Sequence, residues 1–434
     1  MAMFHPVISK VNFAQVEESI LSRWGKHKVF ERSVNARSGG SRFVFYEGPP
    51  TANGSPGIHH VLARVFKDVI PRYRAMKGYY TPRIAGWDTH GLPVELEVER
   101  DLGFSSKADI EEYGIDKFNA RCRENVLGYL KEWEAMTKRI GFWVDLEHPY
   151  ITMDNKYIET VWWAIKQMWD RGLIYQGYKV TPHCPRCGTS LSSHEVALGY
   201  QDNVEDPSIY VKFKVVPSPV SESSEQKRLY EFARDKPTYL LAWTTTPWTL
   251  PGNTALAVAA DAQYAVVELD DEYLILADAL RERVGLGECR VVERLMGSDL
   301  ATITGVNYEP LYNPHKYGVE RSRFETVNET GLLGARRLKL QKPNEKLTYP
   351  VIATDFVSME EGTGIVHVAP AYGEVDYQAG EDNDLDFVHP VDLQGIITGK
   401  YRFSGNFVKD ADPLILDDLK SRGRVSFVDC DLRN

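Results

Sequence analysis

The chain has 434 residues, 43% hydrophobic and 26% charged, the balance of a soluble globular protein at a length that suggests roughly two to four domains. Its 33 glycines and 23 prolines are too few for a collagen-like or low-complexity chain. The 51 basic residues against 61 acidic ones give a net charge of −10, which excludes a global basic field for nucleic acid but not a local basic face.

The first residues, MAMFHPVISKVNFAQVEES, lack the basic stretch and apolar run of a secretory signal, and no segment approaches the ~18 apolar residues of a membrane span. Five cysteines (Cys122, Cys184, Cys187, Cys289 and Cys430) make no disulfide framework, so a reducing cytoplasm is the expected compartment. In chain order, Phe13, Val16, Ile20, Leu21 and Trp24 predict an amphipathic helix over 12–31. Residues 35–41 form a turn, 43–46 a short buried strand and 48–60 a Gly/Pro-rich loop; helical periodicity follows through Val61, Leu62, Val65, Val69 and Tyr73. A second strand over 79–84, the loop GWDTHGLP and a helix from Val94 repeat the pattern. Two consecutive β-loop-α units predict an α/β fold with an open, mostly parallel, Rossmann-like nucleotide-binding sheet. Helices are expected over 106–140 and 153–171, the second carrying Trp162, Trp163 and Trp169.

Beyond about residue 200 the texture changes. Short apolar runs at 239–243, 255–259, 264–269, 273–276 and 364–369 predict a β-rich domain, a barrel or sandwich. The Pro/Ser-rich segment 216–227 reads as an exposed loop, and 412–423 as a helix. The final VSFVDCDLRN shows no recognisable terminal element. The expected segments are 1–40 helical, 41–200 the nucleotide-binding half-domain with helical additions, 201–400 the β-rich domain and 401–434 a return segment that ends early.

The loop Gly48-Pro-Pro-Thr-Ala-Asn-Gly-Ser-Pro-Gly-Ile-His-His60 leads into a helix N-terminus. Unpaired N–H groups and the positive dipole end suit phosphate there, glycines admit a ligand to the backbone, and imidazoles add donors. The plainer alternative is a capped loop with two surface histidines. Asp88 sits at the carboxyl edge of the sheet, where open α/β folds bind ligands, or else caps the next helix. Two further motifs lie in the β-rich part: Thr244-Thr-Thr-Pro-Trp-Thr-Leu-Pro-Gly-Asn253, and Gly362-Thr-Gly-Ile-Val-His367 running on to Asp376. Hydroxyls near a carboxylate can grip an ester and place water, although threonines also simply favour strands.

Together these motifs resemble class I aminoacyl-tRNA synthetases of the isoleucine, valine and leucine subgroup, over nearly the whole chain. Thr245-Thr246-Pro247-Trp248 is similar to the isoleucine members, where the others carry Thr-Thr-Arg-Pro. The resemblance implies an enzyme that activates isoleucine with ATP and Mg2+ and transfers it to tRNA(Ile), as a monomer, with an inserted editing domain that hydrolyses Val-tRNA(Ile). An apolar pocket rejects a molecule one methylene smaller only weakly, so a second, hydrolytic site supplies the missing selectivity; isoleucine against valine is the standard illustration of that rule. By resemblance, Pro49, Asn53, Gly57, His59 and His60 bind ATP, with His59 and His60 catalytic. Gly48, Pro49 and Asp88 hold the amino acid, Asp88 at its α-ammonium. In the editing site Asp376 takes the α-ammonium, Thr244, Thr245 and Thr246 the ester end, and His367 the side-chain side, with Asn253 part of the same site.

The family's His-x-Gly-His signature departs here to Gly57-Ile58-His59-His60, so His59 must turn aside or stand in for the lost first imidazole. His183-Cys184-Pro-Arg-Cys187 is half of a zinc knuckle, to which a returning chain offers only Cys430. Neither a Lys-Met-Ser-Lys-Ser loop nor an anticodon-binding domain occurs, so the chain reads as the N-terminal portion of such an enzyme. The competing functions are a stand-alone aminoacyl-tRNA deacylase and an inactive tRNA-binding module.

Overall fold

A computed structural model describes residues 10–126, 128–175, 177–198, 203–217, 224–269, 271–301, 306–327, 335–342, 345 and 347–433. They fall into two compact units, Met1–Ile174 and Tyr175–Asn434.

In the first unit Asn12 caps helix α1 (Phe13–Lys26), its side chain accepting from the Gln15 N–H at 3.3 Å. The single helix expected over 12–31 is broken, because Lys28 takes a left-handed backbone (φ 46°) and a new helix, α2 (Val29–Asn35), starts there. Strand β1 (Phe45–Tyr46) and strand β2 (Arg83–Trp87) flank helix α3 (Ile58–Met76). The second strand thus begins later than the sequence suggests: Pro82 has no N–H for a ladder, and Tyr80 makes only an isolated bridge to Arg42. Helices α4 (Leu92–Leu102), α5 (Lys107–Tyr113), α6 (Ile115–Val126) and α7 (Leu130–Arg139) lead to strand β3 (Asp145–Ile151) and helix α8 (Asn155–Asp170). The three strands are parallel in the order β1-β2-β3, the parallel sheet that the repeated β-loop-α pattern predicts. Gly86 is demanded by packing, since a Cβ there would lie 2.2 Å from the Tyr150 ring.

Helix α3 packs an unusual face. Arg64, Pro71 and Ala75 are buried, whereas Ile58, Leu62, Phe66, Val69, Ile70, Tyr73 and Met76 are each more than half exposed, a continuous apolar stripe at i, i+4, i+7 spacing.

The second unit starts with a hairpin of β4 (His183–Cys184) and β5 (Thr189–Ser190), then α9 (Ser193–Leu198) and the long strand β6 (Val204–Val216). Helix α10 (Ser224–Asp235) corrects the loop expected over 216–227: Ser-Glu-Gln-Lys opens a helix that buries Gln226, Leu229 and Tyr230, while 218–223 lie outside the described residues. There follow β7 (Thr238–Thr244), a 3-10 helix Pro247–Gly252, β8 (Ala255–Val258), β9 (Gln263–Glu268), β10 (Tyr273–Ala277), β11 (Val291–Met296), α11 (Gly297–Leu300), β12 (Asn307–Tyr308), β13 (Arg321–Val327) and β14 (Ala335–Leu340). The unit closes with β15 (Val351–Ala353), β16 (Ile365–Val368), α12 (Glu374–Asp382), β17 (Asp386–Val388), α13 (Val408–Ser421) and β18 (Val425–Arg433). The last strand pairs antiparallel with β6, so the end of the chain does form a regular element, as its apolar alternation allows.

Ten strands make one mixed sheet running β11-β9-β10-β7-β16-β8-β15, with β6 on β7 and β12 and β18 on β6. Ile209, Phe213, Leu240, Leu256, Ile275 and Ile415 belong to its continuous core. β16 matters most here. It runs parallel to β7 (Val366 opposite Trp243) and antiparallel to β8, which sets His367 beside the threonine segment that follows β7.

Candidate functional site

In the first unit the loop from β1 to α3 is held to the end of β2. Asp88 N–H donates to the Pro50 carbonyl at 3.0 Å, Thr51 Oγ1 donates to Asp88 Oδ2 at 3.3 Å, and Thr152 Oγ1 lies 3.4 Å from Oδ1. Asp88 therefore faces the loop and does not cap α4. Asn53 donates to the Pro93 carbonyl at 3.2 Å, a brace between the two loops. The Gly48 carbonyl accepts from Lys67 Nζ at 3.1 Å, and the same ammonium pairs with buried Glu47 at 2.7 Å. Tyr150 fixes the Glu47 carbonyl from β3. Pro49 carries the loop between these anchors.

The two histidines differ. His60, the third residue of α3, turns its ring back so that Nδ1 accepts the Gly57 N–H at 2.9 Å, which satisfies one orphan donor of the helix start. The ring proton then sits on Nε2, and burial, with His59 and Arg64 nearby, lowers the pKa, so His60 is a neutral donor at neutral pH. It contacts Trp133 at 4.5 Å between centroids; Trp133 itself donates to the Gly54 carbonyl at 2.8 Å and lies under the Arg64 guanidinium. His59 is exposed and lies against His60, centroids 3.8 Å apart. A Cβ added at Gly57 would stand 2.8 Å from His59 Cε1. The His59 imidazole thus fills the space where a side chain at position 57 would begin.

In the second unit the threonines form a row. The Thr246 N–H donates to Thr244 Oγ1 at 3.1 Å, the two hydroxyls are 3.4 Å apart, and Thr249 Oγ1 donates to the Thr246 carbonyl at 2.8 Å. Having given its proton, the Thr249 hydroxyl accepts from His367 Nε2 at 3.0 Å. That leaves His367 Nδ1 as a buried acceptor without a hydrogen-bond partner. Burial pulls the His367 pKa down to about 4, so the ring is neutral. Thr245 is buried. Asn253 has its amide engaged within the fold: Nδ2 donates to the Ala255 carbonyl at 2.9 Å and Oδ1 accepts from Tyr308 at 2.7 Å. It is a brace for β8 rather than a free hydrogen-bonding group.

Asp376, in the first turn of α12, accepts the Ala369 N–H at 3.0 Å. Desolvation raises its carboxyl pKa to about 6. Gly362 and Gly364 hold left-handed turns (φ 67° and 70°) before β16, and a Cβ at Gly362 would strike the Trp243 ring at 2.8 Å. Asp412 of α13 accepts the Trp248 N–H at 2.8 Å and steadies the 3-10 helix from outside. Glu47, Lys67, Trp133, Thr249 and Asp412 are the participants that sequence reasoning did not single out. Thr249 lay inside a quoted motif; the other four carry no local signal.

Cys184 and Cys187 sit on the β4–β5 hairpin with free thiols, and burial raises the Cys187 pKa. Among the described residues no group of three or more His, Cys, Asp or Glu side chains gathers in a metal-binding arrangement, and the side chain of Cys430 lies outside them. The two thiols alone do not fit a structural zinc.

The first unit thus offers a strand-loop-helix turn and the second a hydroxyl–imidazole row. Residues 19–371 match the family of tRNA synthetases class I (I, L, M and V), and the chain belongs to that family. It is 58% identical over 421 residues to an isoleucine–tRNA ligase of Dehalococcoides mccartyi, covering 97% of this chain and 40% of that protein. Isoleucine–tRNA ligases of Clostridium novyi and Thermus thermophilus are each 45% identical, over 98% and 96% of this chain and 36% of theirs. The chain thus spans about two fifths of the length of the relatives it matches. A solved structure described as "The crystal structure of GlLeuRS-CP1" aligns with 51% of this chain and 99% of its own at 17% identity and a TM-score of 0.37.

Proposed function

We propose that this chain carries the activation half-site and the editing site of an isoleucine–tRNA ligase. The reaction is ATP-dependent activation of isoleucine, transfer to tRNA(Ile), and hydrolysis of Val-tRNA(Ile). The observation that carries the reading is the 58% identity to an isoleucine–tRNA ligase over 97% of the chain, joined to a row of threonine hydroxyls ending on a neutral, buried histidine. In this reading the first unit is one half of a Rossmann-like catalytic domain and the second is an inserted editing domain, in a cytoplasmic, monomeric enzyme.

The roles follow from the chemistry. Asp88, held by Thr51 and Thr152, receives the isoleucine ammonium, while Gly48 and Pro49 shape the wall beside it. ATP, with Mg2+ on its phosphates as part of the substrate, lies over Gly57 and Asn53. His60 Nε2–H donates to the phosphates, and His59 supplies the imidazole that position 57 lacks. In the editing site the Asp376 carboxylate holds the ammonium of the misplaced valine, Thr244 and Thr246 grip the ester, and His367 faces the side chain. Thr245 and Asn253 support that pocket from behind.

Two assays test it. Isoleucine-dependent ATP–pyrophosphate exchange, measured with this chain grafted onto the remainder of a full-length relative, should proceed and should stop without isoleucine. The chain itself should deacylate Val-tRNA(Ile) faster than Ile-tRNA(Ile). Valine should support weaker exchange, as an apolar pocket allows; exchange supported by leucine, or by valine as efficiently as by isoleucine, would overturn the substrate assignment.

A further inference from the structure

Helix α3 turns charged residues toward the sheet: Arg64, Lys67 and Asp68 lie among its buried and half-buried positions. Two of them serve the fold. Arg64 Nε donates to Thr137 Oγ1 at 3.2 Å, and Asp68 accepts the Trp143 N–H at 3.3 Å and pairs with Arg72. Lys67 reaches instead to the end of β1, where its ammonium meets two oxygens, Glu47 Oε1 at 2.7 Å and the Gly48 carbonyl at 3.1 Å. Glu47 is only 3% exposed, and its other oxygen, Oε2, is buried without a hydrogen-bond partner among the described residues. The backbone of Glu47 is pinned as well, its N–H to the Ile84 carbonyl at 2.8 Å and its carbonyl to the Tyr150 hydroxyl. A buried ion pair adds little net stability over apolar side chains of similar size, so this one calls for a reason other than holding the fold together.

The next two residues supply it. Pro49 and Pro50 have no N–H, so the backbone there can be anchored only through carbonyl oxygens. One is held on each side of Pro49: Lys67 takes the Gly48 carbonyl, and the Asp88 N–H takes the Pro50 carbonyl at 3.0 Å. Gly48 has no side chain to wedge its own peptide in place, and a Cβ there would meet nothing closer than Lys67 Nζ at 3.8 Å. Without the ammonium the Gly48–Pro49 peptide is free to turn. We propose that Lys67 is a positioning residue that determines amino-acid specificity: by holding the Gly48 carbonyl it fixes the Pro49 ring relative to Asp88, and so sets the side-chain size that the pocket admits. Lys67 acts through this wall and not on the substrate. The inference rests on the reading of Gly48, Pro49 and Asp88 as the isoleucine site and adds the group that keeps the wall in place.

The test compares the parent with Lys67→Met and with the double variant Glu47→Gln/Lys67→Met, each in the full-length graft, by pyrophosphate exchange with isoleucine and with valine. Methionine keeps the length of the side chain and removes the ammonium. Glutamine then removes the buried charge left behind, which separates lost stability from lost positioning. Isoleucine and valine differ by one methylene, so a wall that is no longer fixed should lose much of the discrimination between them. In both variants KM for isoleucine should rise about tenfold, and the ratio of kcat/KM for isoleucine over valine should fall about fivefold or more, while KM for ATP stays parental. A double variant with the parental KM and ratio would reduce Lys67 to the counter-ion of Glu47 and overturn the inference, with the ligase reading untouched. Equal rises in KM for isoleucine and for ATP would overturn it too, as the mark of a loop that has lost its shape as a whole. A parent graft without isoleucine-dependent exchange would overturn the ligase reading itself, and with it the pocket that Lys67 is assigned to shape.

Discussion

Replacing Asp376 by asparagine should make the second unit more stable and a worse hydrolase. The carboxyl is partly buried, accepts one backbone N–H, and has its pKa raised from 3.8 to about 6, with burial as the leading cause. Raising an acid's pKa on folding means that the folded state resists ionisation. The stabilisation is therefore present in full well below 3.8, where the group is protonated in both states, and is lost as pH rises from there through about 6. The difference of about 2.2 pH units corresponds to roughly 3 kcal/mol at 1.36 kcal/mol per unit, as an order of magnitude. Asparagine keeps the acceptor for Ala369 and carries no charge. In urea denaturation followed by a probe in the second unit, Asp376→Asn should gain on the order of 3 kcal/mol over the parent at pH 8, slightly less at pH 6, a small fraction of that at pH 4, and nothing at pH 2.5. In the same preparation Val-tRNA deacylation should fall about tenfold or more, because a charge-assisted contact to the substrate ammonium is worth roughly 1.5–3 kcal/mol. Parental deacylation should itself decline as pH drops through about 6. A variant no more stable than the parent at pH 8 would refute the electrostatic argument. Unchanged deacylation would reduce Asp376 to a structural cap on α12.

In a full-length graft, His59→Ala should lower isoleucine-dependent pyrophosphate exchange clearly, because the ring that fills the space at position 57 is lost; parental exchange would mark His59 as a bystander. Thr249→Val removes the acceptor of His367 Nε2–H at nearly constant volume and should cost about 1–3 kcal/mol in thermal or urea unfolding, the cost of an unpaired buried donor. Gly362→Ala should destabilise the second unit by about 1 kcal/mol or more, since φ is 67° and the new methyl meets Trp243; an unchanged melting curve would show that the turn relaxes freely. Trp133→Leu should loosen the loop at Gly54 and the His60 ring together, read as a rise in the KM for ATP in the same graft.

What could be read from sequence was mostly what is local. The β-loop-α repeats, the threonine run and the Gly362–Asp376 segment each announce themselves within about fifteen residues, and β7 and β16 lie where the apolar runs put them. The break at Lys28 was invisible, because the apolar spacing continues across it and only the backbone dihedral interrupts the helix. The start of β2 was misplaced because alternation cannot distinguish a strand from its lead-in, whereas the missing N–H of Pro82 can. The partners of the candidate residues were the least legible. Trp133 reaches His60 from 73 positions away and Asp412 reaches Trp248 from 164, contacts set by topology, which no local pattern encodes. Asn253 shows the reverse failure, since the motif marks it as a ligand-facing group and the fold engages its whole amide.

The apolar stripe on α3 has a practical consequence. A 19-residue helix is about 28 Å long, and here most of one flank is hydrocarbon in water, from Ile58 to Met76. Such a flank is a preferred landing place for anything greasy: another copy of the chain, a hydrophobic dye, or a holdase chaperone. The chain should accordingly bind anilinonaphthalene sulfonate while fully folded, a response ordinarily taken as a sign of a molten state. Its tendency to self-associate should grow with concentration and with sulfate, which strengthens apolar burial, and weaken in the cold. A purification judged by monodispersity would then report on seven side chains of one helix and very little on whether the protein had folded.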